Sequence, residues 1–143
     1  MVATKAKTRV GTRWPRVAVL ASGDLLVFLL FPLLGSASHE HGLTIGTFLR
    51  TTIPFAIAWS AVAPWLGAYD PRAGLSVRGA VLRSLRAWAI AGPVALAVRI
   101  VLLDRPFDLA FVLVALGVTA ALLATWRTLY ALAIGIVNHR TQR

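Results

Sequence analysis

The apolar positions fall into four long runs separated by short polar stretches, a pattern that predicts four helices. The first run, VAVLASGDLLVFLLFPLL from Val17 to Leu34, is eighteen residues long and carries a single charge, Asp24. As a helix it would reach about 27 Å at ~1.5 Å per residue, close to the ~30 Å hydrocarbon core of a bilayer. The runs place spans at about 17–35, 47–67, 87–103 and 107–137, between a basic tail over 1–16 and a polar tail over 138–143. The pattern is that of an all-α, polytopic membrane protein built as a four-transmembrane-helix bundle.

Local signals set the expected boundaries. Trp14 and Pro15 close the tail as an interfacial anchor, and the first run is longer than the apolar core of a signal peptide, which favours an uncleaved span. Pro54 suits a first helical turn if Thr51 or Thr52 is the cap. Pro64 should free the Ser60 carbonyl and bend the end of the second helix. The stretch SVRGAVLRSLRAW reads as an interfacial lead-in to the third span, with Tyr69-Asp70-Pro71 a turn before it. The fourth run has no charge from Leu109 to Trp126, meets Arg127, and continues to Val137. Its length calls for tilt or for an end lying along the membrane surface.

Composition narrows the class. Hydrophobic residues make up 58% of the 143 and charged residues 14%, far from the ~25% charge of a soluble domain. Cysteine is absent, which excludes thiolate metal sites, disulfides and cysteine nucleophiles. The net charge of +10 does not point to nucleic acid, because the cations flank the apolar runs, where they meet anionic lipid headgroups. Lys5, Lys7, Arg9, Arg13 and Arg16 precede the first span, and Arg72, Arg78, Arg83 and Arg86 lie between the second and third. Only Arg50 and Arg105 occupy the other two loops, so both termini are expected in the cytoplasm and the chain in the cytoplasmic (cell) membrane as a multi-pass protein.

Charges inside the apolar runs are the candidate chemistry. A carboxylate at the centre of a membrane helix costs roughly 2.5–3.5 kcal/mol on insertion scales, so Asp24 needs a partner or a purpose. At ~1.5 Å per residue, Asp24 lies about 10 Å and Arg127 about 15 Å from the same membrane face, with Arg86 the next candidate. Arg99 lies about 18 Å in, nearer the outer acids Asp104, Asp108 and Glu40. Small residues accompany both deep arginines, Ala95, Gly92 and Ala91 before Arg99, and Ala124, Ala120 and Gly117 before Arg127. Such stripes let helices approach, so both arginines are expected to turn inward. An Asp–Arg pair could serve only to set helix register, or could line a solute or proton pathway, or receive a partner. An arginine partner would keep Asp24 ionised and unsuited to carrying protons.

The remaining candidates are weaker. His39, Glu40 and His41 form an outer-mouth group that reads as a solvated loop more readily than as a metal site, since a third ligand is not evident. Trp14, Trp65, Trp88 and Trp126 fit a membrane-interface belt, while Trp59 should pack inside. Pro32, Pro64 and Pro93 mark candidate hinges. No nucleophile, base and orienter set, no phosphate loop and no cofactor signature is present, so no catalytic, cofactor-binding or metal residue is assigned.

In order and spacing, Gly23-Asp24, Gly35, Ser38-His39, Arg50-Thr51, Pro54-Phe55, Arg99 and Trp126-Arg127 resemble a family of small prokaryotic membrane proteins filed as domain of unknown function 3054. The resemblance covers about Trp14 to Ala133, leaving the basic tail and the Val81–Ala87 lead-in unmatched. It implies four helices and membrane residence, and no activity. Two roles are expected from the residues themselves. One is a small permease or channel passing Asp24, Arg99 and Arg127, for which arginines favour an anionic solute. The alternative is a non-catalytic accessory or scaffold subunit, associating with itself or with a membrane partner protein.

Overall fold

A computed structural model describes residues 13–36, 44–70, 76–104 and 106–141. The order of elements is α1 (Arg13–Ser36), α2 (Ile45–Val62), α3 (Val77–Leu102) and α4 (Leu109–Thr141). Each helix is long and apolar enough to cross a membrane. Around the bundle α1 touches α2 and α4, and α3 touches the same two. Contacts between Asp24 and Arg127, and between Phe31 and Phe111, run in opposite senses along α1 and α4, so those two helices are antiparallel.

Helix starts follow from short polar side chains. Thr44 accepts a hydrogen bond from the Thr47 amide at 3.2 Å, and Ser76 accepts one from the Gly79 amide at 3.1 Å. Asp108 takes the amides of Ala110 and Phe111 at 2.9 and 3.3 Å, satisfying donors that the first turn of α4 leaves open. The cap of α2 is therefore Thr44, and not Thr51 or Thr52. Pro54 consequently lies well inside the helix. Likewise α3 starts at Val77, so the expected lead-in is the first part of one continuous helix, with Ala80 and Ser84 already buried.

The end of α2 is the irregular part. The helix stops at Val62, just before Pro64, which has no N–H to continue the ladder. The chain then folds back through a turn over 63–69, where the Ala68 amide donates to the Ala63 carbonyl at 3.0 Å. Gly67 has φ +71°, a conformation that suits a residue without a Cβ. Ala63 and Ala68 are buried, so this turn enters the bundle rather than skirting it.

The core follows helical stripes. Val27, Phe28 and Phe31 of α1 meet Phe55 and Trp59 of α2 and Trp88 of α3 in one aromatic block, with ring centroids 5.8–6.4 Å apart. Trp88 is thus a core residue whose indole N–H donates to the Leu116 carbonyl at 3.0 Å, and not part of an interface belt. Trp65 is 89% exposed, as an interfacial position requires. On α4 the buried row is Ala115, Thr119, Leu123, Arg127 and Ala131, a spacing of four. The expected row through Ala124, Ala120 and Gly117 is offset from it, and Gly117 is exposed with open space about it. At ~100° per residue, the row through Ala124, Ala120 and Gly117 and the row of four through Leu123 lie on opposite sides of Arg127, and packing selected the second.

Gly23 marks a close approach of α1 to Trp126 of α4. A Cβ there would run into the Trp126 ring. Gly23→Ala should therefore lower thermal stability in detergent by about 1–3 kcal/mol, the usual cost of overpacking. Combined with Trp126→Leu it should cost clearly less than the sum of the two single changes, which a double-mutant cycle on unfolding free energy would measure.

Candidate functional site: a buried ion pair beneath a turn

Asp24 and Arg127 face each other because each lies on the buried stripe of its helix. Arg127 Nη2 donates to Asp24 Oδ2 at 2.7 Å, with both side chains 1% exposed. The same oxygen accepts the Tyr69 hydroxyl at 2.8 Å and the Trp59 indole N–H at 3.1 Å. Trp59 Nε1 also lies 2.9 Å from the Tyr69 hydroxyl, so the indole N–H is shared between two acceptors. On its other side Arg127 donates through Nη1 to the Ala68 carbonyl at 3.1 Å, and its Cζ lies 5.4 Å from the Tyr69 ring centroid.

Four pieces of chain meet here: α1, the last turn of α2, the following turn and α4. Burial, and then the neighbouring Asp24 carboxylate, hold the Tyr69 phenol well above its usual range. It stays protonated and serves as a fixed donor. All three donors converge on Oδ2, while Asp24 Oδ1 and Arg127 Nε have no hydrogen-bond partner among the described residues. The contact is therefore end-on and not a two-bond fork.

Magnitudes show why the extra partners matter. Unit charges ~4 Å apart attract by about 4 kcal/mol at an effective dielectric of 20, while burying each ion costs several. A bare pair would roughly break even or lose. Hydrogen bonds from Trp59 and Tyr69, with the Ala68 carbonyl, offset the deficit, since bonds to charged groups contribute about 1.5–3 kcal/mol.

The other expected site residues are dispersed. Arg86 is exposed, a correction to its expected place among the buried groups: at ~100° per residue it lies about 200° around α3 from buried Ser84. Arg99 is half-buried at the far end of the bundle, with its Cζ 3.7 Å from the Phe111 ring centroid, a cation–π contact. Asp104 is exposed with φ +46°, and Asp108, also exposed, caps α4. His39, Glu40 and His41 lie outside the described residues. Among the described residues no three His, Cys, Asp or Glu side chains group as metal ligands.

Trp59 and Tyr69 were not readable as ligands of the acid. Trp59 looked like packing and Tyr69 like part of a turn. The one available signal was that a deep aspartate needs donors, and Trp and Tyr are apolar residues that carry one. Asp70, expected as part of a turn, binds Arg83 Nη1 at 2.8 Å, each side chain about a third exposed at 36% and 35%.

The fold and site define a class: a small four-helix bundle, apolar enough to cross a membrane, organised about one buried acid–guanidinium pair. The chain belongs to the family described as "Protein of unknown function (DUF3054)", whose model matches residues 21–130 and so contains Asp24, Trp59, Tyr69 and Arg127. No curated protein and no solved structure matches the chain.

Removing one member of the pair strands the other. Asp24→Leu or Arg127→Met alone should cost about 3–5 kcal/mol of stability, whereas the double replacement should cost much less than either. Tyr69→Phe should cost about 1–3 kcal/mol by leaving the carboxylate short of a donor. Denaturant titration of the purified variants in micelles measures all four.

Proposed function

We propose that this protein is a closed, non-conducting membrane module that acts by associating with another membrane chain, as an accessory or scaffold subunit. The observation that carries this reading is the state of the charged groups. Asp24 and Arg127 are engaged by each other and by Trp59, Tyr69 and Ala68, all from within the chain. Between that pair and Arg99 stands the aromatic block of Phe28, Phe55, Trp59 and Trp88, whose rings pack together between the two charged groups.

Association is supported by α4, which buries only 17% of its spanning window against 28–39% for the other helices. Its outward side carries Gly117 with open space around it, the kind of position that lets a second helix approach. A second copy of this chain or a different membrane protein would both satisfy that face. The cytoplasmic membrane, with both termini inside, is the setting the cations favour. Arg16, Arg78 and Arg86 are exposed at the end of the bundle where α1 and α3 begin, suited to anionic headgroups.

The competing role, a permease or channel for an anionic solute, draws on one observation. Hydroxyls of Thr52, Ser84 and Thr119, with Asp24 Oδ1 and Arg127 Nε, are buried without partners among the described residues, so polar positions occur along the interior. Sealed liposomes separate the two. Flux of protons, chloride and phosphate should match protein-free vesicles. Flux above that level which falls in Arg99→Gln, a change that leaves the buried pair intact, would select the permease. Cross-linking in the native membrane should trap species heavier than one chain, and a chain trapped always alone would count against association.

A further inference from the structure

The turn between α2 and α3 is held at two levels. Inside, it supplies the Ala68 carbonyl to Arg127 and the Tyr69 hydroxyl to Asp24. Outside, the next residue, Asp70, is tied to Arg83 of α3 at 2.8 Å. Its own hydrogen bonds are local: Gly67 amide to Pro64 carbonyl at 3.2 Å, Ala68 to Ala63 at 3.0 Å, Asp70 to Gly67 at 3.2 Å. Two further amide bonds, Ala63 to the Trp59 carbonyl at 2.8 Å and Leu66 to the Val62 carbonyl at 3.3 Å, tie its first residues to α2, so the part beyond them can move as one piece. It leaves the helix at Pro64, where the ladder stops, and reverses at Gly67.

We propose that the Ala63–Asp70 turn is a lid over the Asp24–Arg127 pair, latched by Asp70–Arg83, and that its opening admits water to the buried charges from this end of the bundle. Lifting the turn removes Ala68 and Tyr69 from the pair but leaves Asp24 on α1 and Arg127 on α4, still in contact. The helices need not separate, and the aromatic block stays closed beneath. The two levels differ in strength for a physical reason. The inner contacts are buried, while the latch is about a third exposed, so salt screens it and its contribution is small. Opening breaks that tie and gives up the Ala68 and Tyr69 hydrogen bonds, for which entering water substitutes, while the Asp24–Arg127 contact holds, so it is a local event distinct from unfolding. The lid stands independently of the association proposed above, since it concerns access to the pair and not what α4 touches.

The sequence has no cysteine, so a single introduced thiol is an unambiguous reporter. Ala68→Cys and, separately, Ala63→Cys place it in the buried side of the lid, and Ala91→Cys places it in the core of α3. The probe is a water-soluble charged maleimide, applied to the full chain in lipid nanodiscs. Arg83→Gln should speed labelling at positions 68 and 63 about three- to fivefold, the gain in open population expected from losing a partly exposed ion pair. Position 91 should label at the parent rate, and Arg83→Lys should restore slow labelling at 68 and 63. Raised salt should mimic Arg83→Gln in the parent. Unchanged labelling at 68 and 63 in Arg83→Gln would overturn the lid. Equal acceleration at 91 would also overturn it, because the bundle would then be loosening as a whole.

Discussion

A charge cannot be left alone at low dielectric, and most of the irregular structure here answers that constraint. Asp24 sits 1% exposed in the middle of an apolar helix. Its oxygen is met by a guanidinium from α4, an indole from α2 and a phenol from the turn. The arginine in turn needs an acceptor beyond the acid, and the Ala68 carbonyl supplies it. A regular helix could not offer that carbonyl, because its own ladder would hold it. The break after Val62 frees backbone groups that the pair uses.

The pair also sets how the helices pack. For α1 and α4 to bring these side chains to 2.7 Å, their backbones must lie close, and Gly23 beside Asp24 has no Cβ to obstruct Trp126. Apolar packing alone discriminates weakly among helix registers in lipid, since acyl chains are as apolar as leucine. A buried ion pair discriminates strongly, because any other register leaves two unpaired charges. The aromatic block supplies further apolar contact between α1, α2 and α3.

Arg99 and Arg127 illustrate how context divides similar residues. Both are arginines within apolar helices. Arg127 lies on a buried row and is enclosed by an acid, a carbonyl and a ring. Arg99 sits at the edge of the α3 stripe and near its end, where its guanidinium lies on Phe111. One organises the interior, and the other stays half-exposed.

Four long apolar helices, and a need for Asp24 to find a partner at the depth of Arg127, were legible in the chain itself. Run length and the cost of a charge in lipid depend on local composition alone. The family was also legible, since order and spacing are sequence properties. Which row of α4 faces inward was not: the row through Ala124 and the row through Leu123 both pass through Arg127, and only contact with α1 and α3 chose the second. For the same reason Arg86 lost its expected inward place, since residue spacing from Ser84 sets its side only once Ser84 is known to be buried. Trp59, Tyr69 and the Ala68 carbonyl could not be read as ligands. Trp59 and Tyr69 reach the acid from 35 and 45 residues away along the chain, and the Ala68 carbonyl reaches Arg127 from 59, the last two through a turn whose path the packing of neighbouring helices decides. Local chemistry names the group that must be satisfied; three-dimensional closure alone names what satisfies it.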